Sequence, residues 1–95
     1  MKIKHWQGYG TVNAKRIKRT EKDGLVNLHI QVRGNHEWGI EHDDTYDFVN
    51  WLGKRFAKDL TSERQIMHLE TVSSWDENLR EDVCDYYVIY KGNAA

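Results

Sequence analysis

Leu25-Val26-Asn27-Leu28-His29-Ile30-Gln31-Val32-Arg33 alternates apolar and polar residues without a break. Period two is the repeat of a β-strand, whose side chains point to opposite faces in turn. Val26, Leu28, Ile30 and Val32 therefore belong to a buried face, and Asn27, His29, Gln31 and Arg33 to a wet one. Immediately upstream, Glu21-Lys22-Asp23-Gly24 is a turn signal, because Gly24 takes positive φ at no steric cost. Before the turn, Thr11 to Thr20 reads as a second strand. Val12 and Ala14 are in phase and Ile17 is not, which places a bulge near Lys15-Arg16. Strands 11–20 and 25–33 thus form a hairpin.

Further along, Asp43 to Lys58 carries the signature of a helix. Asp43 or Asp44 is suited to the N-cap, and Asp47 adds negative charge to the first turn. Lys54, Arg55 and Lys58 sit where cations complement the helix dipole. Val49, Leu52, Phe56 and Leu60 share one stripe, with Tyr46 and Phe48 at its margins, and Gly53 beside it allows close packing on a sheet. Arg64 to Val72 and Val83 to Tyr90 read as two more strands, the first with an ambiguous apolar face. Ser73 to Asp82 reads as a polar loop between them. Ile3 and Trp6 fit an additional edge strand, which Gly8-Tyr9-Gly10 interrupts. The expected fold is α+β: a small antiparallel sheet of four to five strands, order β-β-α-β-β, with one helix packed on one face.

The chain has 95 residues, 39% hydrophobic and 31% charged, with no proline, which fits a single domain spanning 1–95. No run approaches the roughly 20 apolar residues of a membrane span, and no apolar h-region follows Met1-Lys2-Ile3-Lys4. A lone cysteine, Cys84, fits a reducing cytoplasm. The net charge of −1 conceals segregation: residues 1–35 carry eight cations against two acids, and residues 36–95 six against thirteen. Such polarity steers charged partners, or lets two halves of a fold face each other.

Lys15, Arg16, Lys18, Arg19 and Lys22 lie within eight residues. Clustered cations on a fixed backbone suit phosphates or an acidic protein surface, and lysines also keep an edge strand from pairing with strangers. Gly34 to Asp44 crowds histidines, carboxylates and glycines, but His36 and His42 lack the spacing of a helical zinc pair, so a structured loop or a recognition surface around His36, Glu37 and Trp38 is the better reading. Trp51 lies opposite the apolar stripe, either as an exposed binding anchor with Arg55 stacked over it or as a ring covered by the 73–82 loop with Trp75. Of Tyr86, Tyr87 and Tyr90, alternation sends Tyr87 to the other face from its two neighbours, where a ring can stack on a base. Asp43, Asp44, Asp47, Asp76 and Glu77 make an acidic surface. No spacing assembles a nucleophile with a base or a phosphate loop, and no metal or cofactor is called for.

Trp6-Gln7-Gly8-Tyr9-Gly10, Gly34-Asn35-His36-Glu37-Trp38-Gly39, and Tyr46-Asp47 followed by Asn50-Trp51-Leu52 and Lys54-Arg55-Phe56 together resemble a family of small bacteriophage and prophage accessory proteins. The resemblance spans residues 1–60 and carries no catalytic residue. It implies a protein that binds and blocks a macromolecule of the bacterial host, as anti-CRISPR and other anti-defence proteins do. The expected function is therefore non-enzymatic occlusion of a host protein or nucleoprotein complex in the host cytoplasm. The acidic segments 41–47 and 76–85 would compete with nucleic acid for a basic groove, or the hairpin would grip the nucleic acid itself. Two alternatives stand beside it. One is direct DNA or RNA binding by the hairpin at 15–22. The other is a nucleotide-sequestering oligomer, with Arg16, Arg19, Arg33 and tyrosines lining a pocket between protomers.

Overall fold

A computed structural model describes residues 2–4, 11–34 and 48–92. Five strands form one antiparallel sheet: β1 (Lys2–Lys4), β2 (Thr11–Lys22), β3 (Leu25–Gly34), β4 (Ile66–Asp76) and β5 (Glu81–Lys91), arranged in the order β1-β2-β3-β5-β4. β5 pairs antiparallel with both β3 and β4, so β3 and β4 run parallel with β5 inserted between them. Between β3 and β4 the chain forms a π-helical turn, Val49–Gly53, that runs into an α-helical turn, Lys54–Phe56; together these are α1. No helix among the described residues is long and apolar enough to cross a membrane.

The hairpin forms as the alternation requires. Val26, Leu28, Ile30 and Val32 are at most 2% exposed. Asp23 and Gly24 both have positive φ, 54° and 79°, the signature of a type I′ turn, whose twist matches that of the flanking strands. The β2–β3 register slips between Arg16 and Lys18, so Ile17 is the bulged residue and is 43% exposed. A second slip between Ile66 and His68 resolves the ambiguous face of β4. Met67 bulges outward, and Ile66 and Leu69 both pack against the core.

Four expectations are corrected. The 73–82 segment is not a loop: β4 runs on to Asp76, a turn occupies residues 77–80, and β5 begins at Glu81. The turn closes because the Asp76 carboxylate accepts the N–H groups of Asn78 (3.0 Å) and Leu79 (3.1 Å). The helix is shorter at its C-terminal end than periodicity suggests. Ala57 leaves helical geometry at φ −146°, and Leu60 reaches the core through a return turn in which its N–H donates to the Ala57 carbonyl. The proposed N-cap at Asp43 or Asp44, with Tyr46 and Asp47, lies outside the described residues, as do Trp6 and Gly8-Tyr9-Gly10. Finally, the chain is mostly β, and the N-terminal strand makes the order β-β-β-α-β-β.

Trp51 is the fourth correction. It is 2% exposed, as buried as Phe48 and Leu52, which are fully enclosed. Its ring meets Tyr86 edge-on at 6.1 Å, and Phe48 meets the same tyrosine at 5.4 Å. The buried arc of α1 therefore takes in Phe48, Trp51 and Leu52, while Val49 and Phe56 are only partly buried. Trp51 is covered by the sheet, not by a loop bearing Trp75. Arg55 does not stack over the ring; its guanidinium donates to the Trp51 carbonyl at 3.1 Å. Gly53 serves the return turn: a Cβ there would lie 3.1 Å from the Leu60 carbonyl oxygen.

Arg80 closes the 77–80 turn at φ 53°, a left-handed conformation that a residue with a Cβ adopts at a cost. Replacing Arg80 with glycine is expected to stabilise the protein by about 0.5–1 kcal/mol. Thermal denaturation checks this as a rise in Tm of several degrees.

Candidate functional site

α1 packs over one face of the sheet. No described element covers the other, so the wet half of each strand stays accessible there. This helix-free face is built by alternation and the β2 bulge acting together. Before the slip, Lys15 lies opposite Gln31; after it, Lys18 lies opposite His29 and Lys22 opposite Leu25. All three lysines share the helix-free face. Arg16 opposite Ile30 and Arg19 opposite Leu28 fall on the helix side. The five cations of the hairpin are thus split, three lysines from two arginines, and do not form one patch.

The two arginines do not converge with Arg33 either. Arg19 is held on the helix side by Asp59 (3.2 Å) and Glu21 (3.5 Å). Asp59 also accepts the Tyr90 hydroxyl at 2.7 Å. Burial and then the Asp59 hydrogen bond push the Tyr90 hydroxyl up to about 12. Arg33 lies on the opposite face, bonded through both terminal nitrogens to Asp76 at 3.1 Å and through one to Glu81 at 3.4 Å. Tyr86 and Tyr90 are wholly buried. The pocket of three arginines and tyrosines is not formed within one chain.

A ladder of polar contacts crosses the helix-free face. Arg33 donates to Gln31 at 3.2 Å, Gln31 donates to Asp85 at 3.1 Å, and His29 Nε2 lies 2.8 Å from the same carboxylate oxygen. The His29 ring stacks on Tyr87 at 4.3 Å and 21°. These residues occupy adjacent register positions on β3 and β5, so the ladder follows from strand pairing. Tyr87 is 39% exposed, as alternation predicts for the one tyrosine of the three on this face. Beside it lies a shallow depression of about 340 Å³ lined by Lys18, Thr20, Asn27, His29 and Tyr87, together with parts of Leu28 and Val88.

Charge on this face is graded. Asp76, Glu81 and Asp85 lie toward β4 and β5 and are engaged by Arg33, Gln31 and His29. The Asp76 carboxyl is held below its usual range first by the Leu79 N–H, then by Arg33 and by the Asn78 N–H. Asp76 is therefore committed to its turn, whereas Glu77 is exposed on it. Among the described residues no ion pair reaches Lys15, Lys18 or Lys22. His36, Glu37, Asp43, Asp44 and Asp47 lie outside the described residues. Among the described residues no group of three or more His, Cys, Asp or Glu is placed to hold a metal ion. Cys84 is buried, with the Ser73 hydroxyl 3.9 Å from its sulfur.

Two residues that matter to this arrangement are absent from the expectations drawn from sequence. Asp59 looks like an ordinary loop acid. Gln65 is legible, because Ser62-Glu63-Arg64-Gln65 is a capping-box pattern ahead of an apolar run. Its amide oxygen accepts the Thr61 and Ser62 N–H groups, and its nitrogen donates to the carbonyls of Asp59 (2.7 Å) and Lys91 (2.8 Å). Gln65 thereby fixes the loop that carries Asp59 against β5. Comparison with known proteins finds no matching family model, no matching curated protein and no matching solved structure.

Proposed function

We propose that this protein acts by binding, not by bond chemistry: a phage-type protein that occludes a macromolecular complex of its bacterial host, working in the host cytoplasm through the helix-free face of its sheet. The observation that carries the reading is the grading of charge on that face. Lys15, Lys18 and Lys22 project from β2 without an ion-pair partner among the described residues, while Asp76, Glu81 and Asp85 on β4 and β5 are engaged by Arg33, Gln31 and His29. A rigid face with one unneutralised basic side recognises an anionic surface by orientation as well as by charge. The role that the sequence suggests for Trp51 as an anchor passes to this face, since Trp51 belongs to the core.

Reversing Lys15, Lys18 and Lys22 to glutamate tests the proposal. The triple variant is expected to keep the wild-type unfolding midpoint, because all three side chains are exposed. It is expected to lose capture of the host complex in pull-downs and to lose protection of phage in plaque assays under defence pressure. Retention of both activities would overturn the reading.

A second reading is direct nucleic-acid binding, favoured by the depression beside Tyr87. An exposed tyrosine with a lysine at its side offers a ring for a base and a charge for a phosphate. It predicts affinity for single strands that falls steeply with salt, and a salt slope reduced by roughly 2–3 in the triple lysine variant. Fluorescence anisotropy with single-stranded and duplex oligonucleotides separates it from the first reading.

A further inference from the structure

The helix-free face divides by how its polar groups are engaged. Toward one end, Arg33, Gln31, Asp85 and Asp76 bond to one another or to His29. Around the depression beside Tyr87 the groups are open. Among the described residues the Lys18 ammonium, the Thr20 and Tyr87 hydroxyls and the Asn27 amide have no hydrogen-bond or ion-pair partner. The depression exists because Thr20 and Asn27, opposite each other in register, are short. The row on one side of them carries the stacked rings of His29 and Tyr87, with Lys18 opposite His29. The row on the other side sets Leu25 between Lys22 and Lys91. Residues opposed in register share a face, and successive rows on one face lie roughly 7 Å apart, so all three lysines border the short pair. Beyond the rings the charge reverses: Asp85 lies two places before Tyr87 on β5, and the exposed Glu70 lies opposite Tyr87 on β4, with Lys15 two strands from Asp85.

We infer that this depression is a binding site for a free nucleoside polyphosphate, whose base lies on the Tyr87 side and whose phosphates lie toward Lys22 and Lys91. Open donors and a lining without an acid call for an anion, and charge-assisted hydrogen bonds are the strong ones. A half-exposed tyrosine ring calls for a flat group. The volume of about 340 Å³ lies at the small end of ligand pockets. The charge gradient selects a free nucleotide over a strand. A nucleotide inside a strand has phosphates on both sides of its base, and one of them would fall beside Asp85 and Glu70. A free nucleotide carries its phosphates on one side only, where Lys22 and Lys91 stand, with Lys18 beside the rings. For the same reason a triphosphate is favoured over a monophosphate. This inference goes beyond the occlusion reading and does not depend on it, and it competes with strand binding at the same depression.

Isothermal titration calorimetry of the full chain with adenosine, AMP, ATP and inorganic triphosphate tests the site. ATP is expected to bind at least tenfold more tightly than AMP or inorganic triphosphate, and adenosine to bind weakest. Tyr87→Ala is expected to weaken ATP at least tenfold. Lys91→Gln is expected to weaken ATP at least threefold and AMP less than twofold, because its ammonium meets the outer phosphates. Lys58→Gln, an exposed change in the loop after α1, is expected to leave both affinities as they are. Circular dichroism reports whether each variant stays folded, and Lys91→Gln carries the test by itself if Tyr87→Ala does not. A single-stranded oligonucleotide without a terminal phosphate is expected to displace ATP at least tenfold more weakly than ATP displaces itself. No binding of ATP up to about 1 mM, inorganic triphosphate bound as tightly as ATP, or unchanged ATP affinity in the folded variants would each overturn the inference. An oligonucleotide that competes as well as ATP would overturn it too, and would return the depression to the strand-binding reading.

Discussion

Trp51→Ala is expected to cost about 3–5 kcal/mol of folding stability, a large part of what a domain of this size holds. The ring is 2% exposed and lies against Tyr86, which Phe48 also meets. Removing it opens a cavity beside Tyr86, within the core cluster that α1 and the sheet share. Urea unfolding provides the measurement. Trp75→Ala is the internal comparison: that ring is 46% exposed, and its loss is expected to cost less than about 1 kcal/mol. A loss below 1 kcal/mol for Trp51 would mean that α1 does not pack as described. It would also return Trp51 to the role of a surface anchor, where truncation affects binding and spares stability.

The second large effect belongs to Asp59. It receives the Tyr90 hydroxyl at 2.7 Å and the Arg19 guanidinium at 3.2 Å, and so ties the loop after α1 to β5 and β2. Asp59→Ala leaves a buried hydroxyl without that acceptor, and the expected loss is about 2–4 kcal/mol. The Arg19 share of this is small, since both partners are about a third exposed and water screens the pair. In a Tyr90→Phe background the Asp59 substitution is expected to cost much less, because the hydroxyl it satisfies is gone. The same contact sets an alkaline limit. Tyr90 is pushed up to about 12, first by burial and then by Asp59, above an unfolded value near 10. A raised value means that the folded state holds the proton more tightly. The stabilisation is thus complete below pH 10 and is lost as pH rises from 10 through 12. Tyr90→Phe should flatten that decline relative to wild type, and equal slopes would exclude Tyr90 as its source.

The hairpin was legible because its information is local. Alternation from Leu25 to Arg33 marks a strand with one buried face, and Asp23-Gly24 selects a two-residue turn whatever surrounds it. The bulge was legible for the same reason: Ile17 breaks the period of its own strand. The position of Tyr87 on the opposite face from Tyr86 and Tyr90 also follows from period two alone. Ser62 to Gln65 carries a capping box that the strand expected from Arg64 overlooks, and its reach to Asp59 and Lys91 belongs to the tertiary structure.

Other features depended on what the chain meets. Helical spacing made Val49, Leu52 and Phe56 the inward stripe, but which arc faces the sheet depends on where the helix lands, and the aromatic ring of Tyr86 drew Phe48 and Trp51 inward. The polar stretch at residues 73–82 has few strand formers. Residues 73–76 are extended because β5 supplies their hydrogen-bond partners, and Asp76 caps the turn at 77–80. The division of five neighbouring cations into three lysines on one face and two arginines on the other required the bulge to be placed to the residue. The local code of this protein thus determines where strands and turns occur, since a residue's own backbone preference and its neighbours two positions away are written in the chain. Which surfaces are covered, and so which charges are left to meet another molecule, was decided by the tertiary structure, because burial is a property of residues brought together from 30 or more positions apart.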